Sequence, residues 1–243
     1  MKQLGKQLGK QLLLWTCLVT ILSGCLYPES QKNENQIPYT DQIKSVQSAV
    51  EQYQNDKAVL PIKTRDQSTP IYQKYPIDFK KLVPALLQQA PGNSFENGGV
   101  FQYVLIDVEE NPTVRLIDLL IVEKVKDLQL RINDYRRQNK YPPFKDVLAK
   151  DRYSIDYEAL GMDEEPTVKS PFTNEQLPFF LNEKGNVHID YSKDLTKAIA
   201  NNPDHPYKNG DDIRDLLADN SFYVPVSSVP YTIENGEAVF LVK

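Results

Sequence analysis

The sequence predicts an α+β fold in which two repeated units, each an amphipathic helix packed on a small antiparallel sheet, precede a C-terminal helical segment and a hairpin. Three observations carry that expectation. Ile43, Val46, Val50 and Tyr53 are spaced 3, 4 and 3 apart, and Val125, Leu128, Ile132 and Tyr135 repeat those spacings 82 positions on, which is the one-sided period of an amphipathic helix. Tyr75-Pro76-Ile77-Asp78-Phe79 with Leu82 is echoed 78 positions on by Tyr153-Ser154-Ile155-Asp156-Tyr157 with Leu160. Near the C-terminus, Asn235-Gly236 sits between two alternating segments and supplies the two positive-φ residues of a type I′ hairpin turn.

The N-terminus carries a different signal. Lys2, Lys6 and Lys10 precede an apolar run from Leu12 to Leu22, which ends in Leu22-Ser23-Gly24-Cys25. Eleven residues are too few to cross a bilayer core of about 30 Å, for which about 20 are needed. Residues 1–24 resemble a bacterial lipoprotein signal peptide with its lipobox at Leu22, Ser23 and Gly24. That resemblance implies a diacylglyceryl thioether on Cys25, cleavage just before it, and anchoring to the lipid bilayer through the acylated cysteine at the outer face of the plasma membrane. Two acyl chains hold stably where one is marginal.

Residues 25–40 read as a flexible tether: polar, proline-punctuated and without apolar period, with an r.m.s. reach of roughly 20 Å. The first repeat spans 41–119. Its helix, Asp41 to Lys57, ends at Leu60-Pro61-Ile62, and Phe101 to Val108 is a strand candidate ahead of Leu116-Ile117-Asp118. The second repeat spans 120–193, with a helix from Glu123 to Asn139, a strand candidate from Leu177 to Leu181, and His188-Ile189-Asp190 in the place of Leu116-Ile117-Asp118. Residues 194–243 leave the pattern: Asp194 to Ala200 and Asp211 to Asn220 are short helix candidates, and the hairpin is expected to finish a sheet edge of the second unit.

Two resemblances rest on these residues. Leu22 to Cys25, Ile37 to Gln54, Leu60 to Phe79, Asn111 to Leu119, and Ser170-Pro171-Phe172 are similar to the uncharacterised Bacillus membrane lipoproteins of the YphF type. That resemblance implies a location and little chemistry. A helix ending at Tyr53 and then Leu60-Pro61, or at Tyr135 and then Tyr141-Pro142, is similar to the stem-to-globule junction of type IV pilins and pseudopilins, although the long apolar first helix of those proteins is absent.

Charge and composition narrow the function. The formal net charge is −5; without Lys2, Lys6 and Lys10 the cleaved chain would carry 25 basic against 33 acidic residues, or −8. That is the wrong sign for a general nucleic-acid binder. Two Cys and two His cannot make a disulfide scaffold and leave a His/Cys metal site short of ligands, so neither a metal nor another cofactor is expected. No G-x-S-x-G, glycine-rich phosphate loop or H-E-x-x-H occurs. His188 and Asp190 share one face of a strand by alternation and read as a surface pair; His205 reads as an exposed turn residue. The acidic groups Asp107, Glu109 and Glu110, then Asp163, Glu164 and Glu165, read as solvated loops. Asp211 and Asp212 read as the start of a helix, whose dipole favours them. None of the three has EF-hand spacing. No catalytic residue is nominated, and the expectation is not an enzyme.

A stripe of Lys124, Lys126, Arg131, Arg136, Arg137 and Lys140 on one helix invites contact with anionic lipid headgroups. The loop from Lys63 to Tyr75 is the candidate partner-binding segment, through Arg65, Asp66, Ser68, Thr69 and Tyr72, because loops set on rigid elements carry recognition and tyrosine supplies contact area at low entropy cost. The expected function is a membrane-anchored, non-enzymatic interaction or scaffold module that presents this loop to an envelope protein. The alternative is a substrate-capture lipoprotein of an uptake system.

Overall fold

The computed structural model describes residues 40–242. Leu22, Ser23, Gly24, Cys25 and the tether up to residue 39 lie outside the described residues. Helix α1 (Thr40–Lys57) buries Ile43, Val46, Ala49 and Val50; Ile43, Val46 and Val50 belong to the 3-4-3 stripe, whose last member, Tyr53, is only partly buried against the same core. The chain then passes a 3-10 turn (Ile71–Gln73) and the single-turn helix α2 (Phe79–Leu82), where Asp78 accepts from the Lys80 N–H. A hairpin of β1 (Phe101–Ile106) and β2 (Thr113–Asp118) follows, paired in register from Phe101 with Asp118 to Ile106 with Thr113.

Helix α3 (Leu119–Asn139) starts four residues earlier than its periodicity indicates, because Asp118 already accepts from the Leu120 N–H at 2.9 Å. Asp190 closes its own strand in the same way, accepting from the Ser192 N–H at 2.9 Å where α4 (Ser192–Asn201) begins. Between them lie β3 (Phe144–Ala149), β4 (Arg152–Ile155), β5 (Thr167–Lys169), β6 (Gln176–Asn182) and β7 (Val187–Ile189), all antiparallel, in the order β3-β4-β6-β5 with β7 on β6. Both long helices stop at a left-handed residue, Ala58 (φ 56°) and Lys140 (φ 74°), neither of them glycine. Each costs about 1–2 kcal/mol relative to right-handed backbone.

The first half holds its sheet together with few bonds. Ile62 bridges Ile77 and Pro76 bridges Val104, so the segments around 62 and 76 lie beside β1 as β3 and β4 lie beside β6. The β1–β2 hairpin has a packed layer on each side. Tyr103, Leu105, Val114 and Leu116 join α1 in one core, whereas Val104 and Ile117 join Ile121, Leu128, Ile132 and the second sheet in the other. Alternation along the strands divides the faces in this way.

The C-terminal segment differs most from expectation. In place of a helix from Asp211 to Asn220 there is only α5 (Asp215–Asp219). Asp212 is turned to Arg214, at 2.7 Å from Nη2, and does not open the helix. Hairpin β8 (Tyr231–Glu234) with β9 (Glu237–Phe240) forms, with positive φ at Asn235 and Gly236. It is a separate two-stranded sheet and not an edge of the second one; Thr196 Oγ1 on α4 accepts from its Ala238 N–H at 3.0 Å. Ahead of it the tail adds to both halves. Leu116 N–H donates to Phe222 O at 2.7 Å and Val224 N–H to Leu116 O at 3.1 Å, while Ile189 N–H donates to Ser227 O at 3.1 Å.

Ser170-Pro171-Phe172 acquires a packing role. Ser170 Oγ donates to buried Asp194 at 2.7 Å and accepts from the N–H groups of Phe172 and Thr173, and Thr173 Oγ1 donates to the other carboxylate oxygen at 2.5 Å. Burial raises the Asp194 carboxyl above its ordinary range, and these two hydroxyls oppose the rise.

Candidate functional site

The loop from Lys63 to Tyr75 does not stand alone. Tyr72, only 5% exposed, is tucked behind the loop: its hydroxyl donates to Asp215 Oδ1 at 2.7 Å, and the Arg214 guanidinium lies 5.3 Å from the ring centroid. Tyr72 is thus a structural tie between loop and tail, and not the free contact residue that the sequence indicates. Arg65, Asp66 and Ser68 are exposed on the outer turn of the loop, where Thr69 N–H donates to Asp66 O at 3.0 Å.

The tie closes one side of a cleft of about 610 Å³. The loop contributes Gln67, Thr69, Ile71, Tyr72, Lys74 and Tyr75; the β1–β2 connection contributes Ile106 to Glu110; the tail contributes Tyr207, Asp215 and Asp219. Five carboxylates (Asp107, Glu109, Glu110, Asp215 and Asp219) face one ammonium, that of Lys74. The charges are felt. The Asp219 carboxyl is raised by burial and then by Asp215 and Asp107, against the pull of Arg115. The Tyr207 phenol is pushed up to about 12 by burial and then by Asp215 and Asp219. Arg115 is occupied with carbonyls, donating from Nε to Ala218 O at 2.6 Å and from Nη1 to Val114 O at 3.0 Å. Such a recess accepts hydrogen bonds and positive charge, with tyrosine faces beside it for a cation. Asp107, Glu109 and Glu110 are legible in the sequence as a loop cluster; Tyr207 and Asp219 carry no local signal, because only the tertiary fold brings them there.

Among the described residues no group of three or more His, Cys, Asp or Glu side chains is arranged to hold a metal ion. His188 and Asp190 share a face but are not paired. His188 Nδ1 lies 3.2 Å from Ser227 O and Nε2 lies 3.3 Å from the Asn182 amide, and the ring stacks on Phe180. Asp190 accepts instead from the Tyr231 hydroxyl at 3.0 Å. Since a carbonyl can only accept, Nδ1 carries the proton and Nε2 takes the amide N–H. Burial lowers the His188 pKa, with Ser227 opposing. A depressed folded pKa means that the neutral ring's contribution is complete above the ordinary value of about 6.5 and is lost as pH falls through the lowered value. In urea titrations His188→Gln is therefore expected to lose less stability than the parent between neutral and mildly acidic pH; equal slopes would contradict it. His205 is also less exposed than its turn suggests: it is half-buried, with Nδ1 unpartnered and its ring 6.2 Å from that of Tyr207.

The basic residues of α3 do not form one stripe. At about 100° per residue, Lys124 and Arg131 lie on one side and Lys126 and Arg137 almost opposite. Arg137 pairs with Asp134 in the preceding turn, and Arg136 Nη1 donates to Lys184 O at 2.9 Å.

Residues 39–118 match the YphF family N-terminal domain, and so cover α1 through β2 and two of the three walls of the cleft. No curated protein and no solved structure matches the chain. None of the helices among the described residues is long and apolar enough to cross a membrane.

Proposed function

We propose that this chain, which carries a YphF-type N-terminal domain, is a lipid-anchored extracytoplasmic lipoprotein. It acts as a non-enzymatic interaction module of the cell envelope, and its cleft receives a positively charged segment of a partner protein. The carrying observation is the cleft itself: three segments far apart in sequence converge on a recess with five carboxylates and one lysine. The lipobox-like Leu22 to Cys25 supports the location.

The test is in-cell crosslinking of the full chain, followed by mass spectrometry of what co-purifies. One dominant protein is expected, lost when Glu109→Lys and Glu110→Lys are combined and reduced by Arg65→Ala with Asp66→Ala. All four positions are exposed, so stability should stay within about 0.5 kcal/mol of the parent. Recovery unchanged by the reversals would remove the cleft from the interface. Cys25→Ser, scored by release from the membrane fraction, tests the anchor separately.

The cleft volume supports a second reading, since about 300–1,000 Å³ is the range of small-ligand sites. A solute-binding lipoprotein would show a rise in melting temperature with a small organic cation, and no dominant crosslinked protein.

A further inference from the structure

We propose that the end of the second sheet, where the β3–β4 and β6–β7 turns meet the end of α3, is a docking surface for an anionic phospholipid bilayer. Two adjoining grooves define it. Arg136, Lys140 and Lys184 line one with Glu183; Lys150 and Arg152 line the other with Asp151 and the same Glu183. Five cations thus gather around two carboxylates in a chain whose net charge is −5. No residue of the acidic cleft takes part.

The same end carries apolar side chains with nothing over them. Strand β3 lies at the sheet edge, paired only to β4 and through an irregular register. Val147 is 72% and Leu148 49% exposed. Lys145, Asp146, Val147 and Leu148 are exposed in succession, and the bulged register around Val147 frees the strand from strict alternation, so this hairpin stands out as an uncovered fin bracketed in sequence by Lys145 and Lys150. Tyr141, 58% exposed, packs edge-on against Tyr135 at the foot of α3.

Exposed apolar side chains beside a cluster of cations match the interfacial layer of an anionic bilayer, which takes the apolar groups below headgroup phosphates at the level of the flanking cations. The inference rests on the lipid-anchor reading for its geometry. An acylated Cys25 lies fifteen residues before Thr40, a span of at most about 50 Å, so the folded part stays near the surface, where a weak contact suffices because the effective concentration is high.

The test uses residues 26–243, which contain every described residue and omit the acylated cysteine, sedimented with vesicles of phosphatidylcholine alone or mixed with phosphatidylglycerol. Binding is expected only with phosphatidylglycerol and should fall as salt rises. Lys150→Glu with Lys184→Glu should weaken it at least about tenfold. Val147→Ser with Leu148→Ser should weaken vesicle binding while leaving any binding to inorganic polyphosphate unchanged, and each variant's melting temperature confirms folding. Equal binding to both vesicle types, or no effect of the charge reversals, overturns the proposal. Vesicle binding insensitive to Val147→Ser with Leu148→Ser and matched by polyphosphate also overturns it, in favour of a soluble polyanion. Because Cys25 is absent, failure here leaves the anchor standing, whereas a full-length chain that takes up no labelled fatty acid in cells would remove the tether.

Discussion

Tyr72→Ala is expected to lower the free energy of unfolding by about 3–5 kcal/mol, the range for truncating a large buried aromatic ring. The ring is packed with Val104 and Ile117 in the larger core, its hydroxyl holds Asp215, and its face carries Arg214. Removing it leaves a cavity between loop and tail that neither can fill. Tyr72→Phe keeps the ring and loses only the bond to Asp215; because that carboxylate is exposed and can turn to water, the cost should be about 1–2 kcal/mol. Urea midpoints of the two variants separate packing from hydrogen bonding. If Tyr72→Ala costs less than Tyr72→Phe, the loop is not fixed to the tail as described. A partner lost in Tyr72→Ala but kept in Tyr72→Phe would reflect collapse of the cleft wall and not a lost contact.

Leu116→Ala should cost about 2–5 kcal/mol. Leu116 is fully buried in the core beneath α1, and its backbone is bonded to β1 on one side and to the tail at Phe222 and Val224 on the other. A single transition should shift as a whole, since the hairpin is a wall of both cores; a biphasic curve in which only part of the signal moves would show that the halves unfold separately. Leu130→Ala, on the exposed side of α3, is the control and should change stability by no more than about 0.5 kcal/mol.

Much of the α+β arrangement is legible before any coordinates, for identifiable reasons. The helices announce themselves because Ile43, Val46 and Val50, and Leu128 and Ile132, all face a core. The Asn235-Gly236 turn is visible because backbone with φ > 0 is selective about residue type. The strands of the first half are less so: a bridge of one residue at Ile62 or Pro76 leaves no alternation to count. The helix read from Asp211 fails because both carboxylates are engaged elsewhere: Asp211 accepts from the upstream Lys208 N–H and Asp212 holds the Arg214 guanidinium. The cleft was half visible. Its loop and its acidic turn are local features, but Tyr72 reads as surface in a polar segment and is drawn inward by residues of the tail. Asp194, placed like an ordinary first-turn acid, is buried because Ser170 and Thr173 come to meet it.

The doubly covered hairpin bears on what counts as a module in this chain. A segment ending at Asp118 is a recognisable unit of sequence, yet by itself it would bare Val104 and Ile117, leave β2 without the neighbour that Phe222 and Val224 provide, and leave Asp118 with no helix to cap. Its inheritance as a block is therefore distinct from its autonomy as a body. Any chain that borrows this segment must also bring something to occupy the far side of that hairpin, and the choice of occupant decides which third wall the cleft receives.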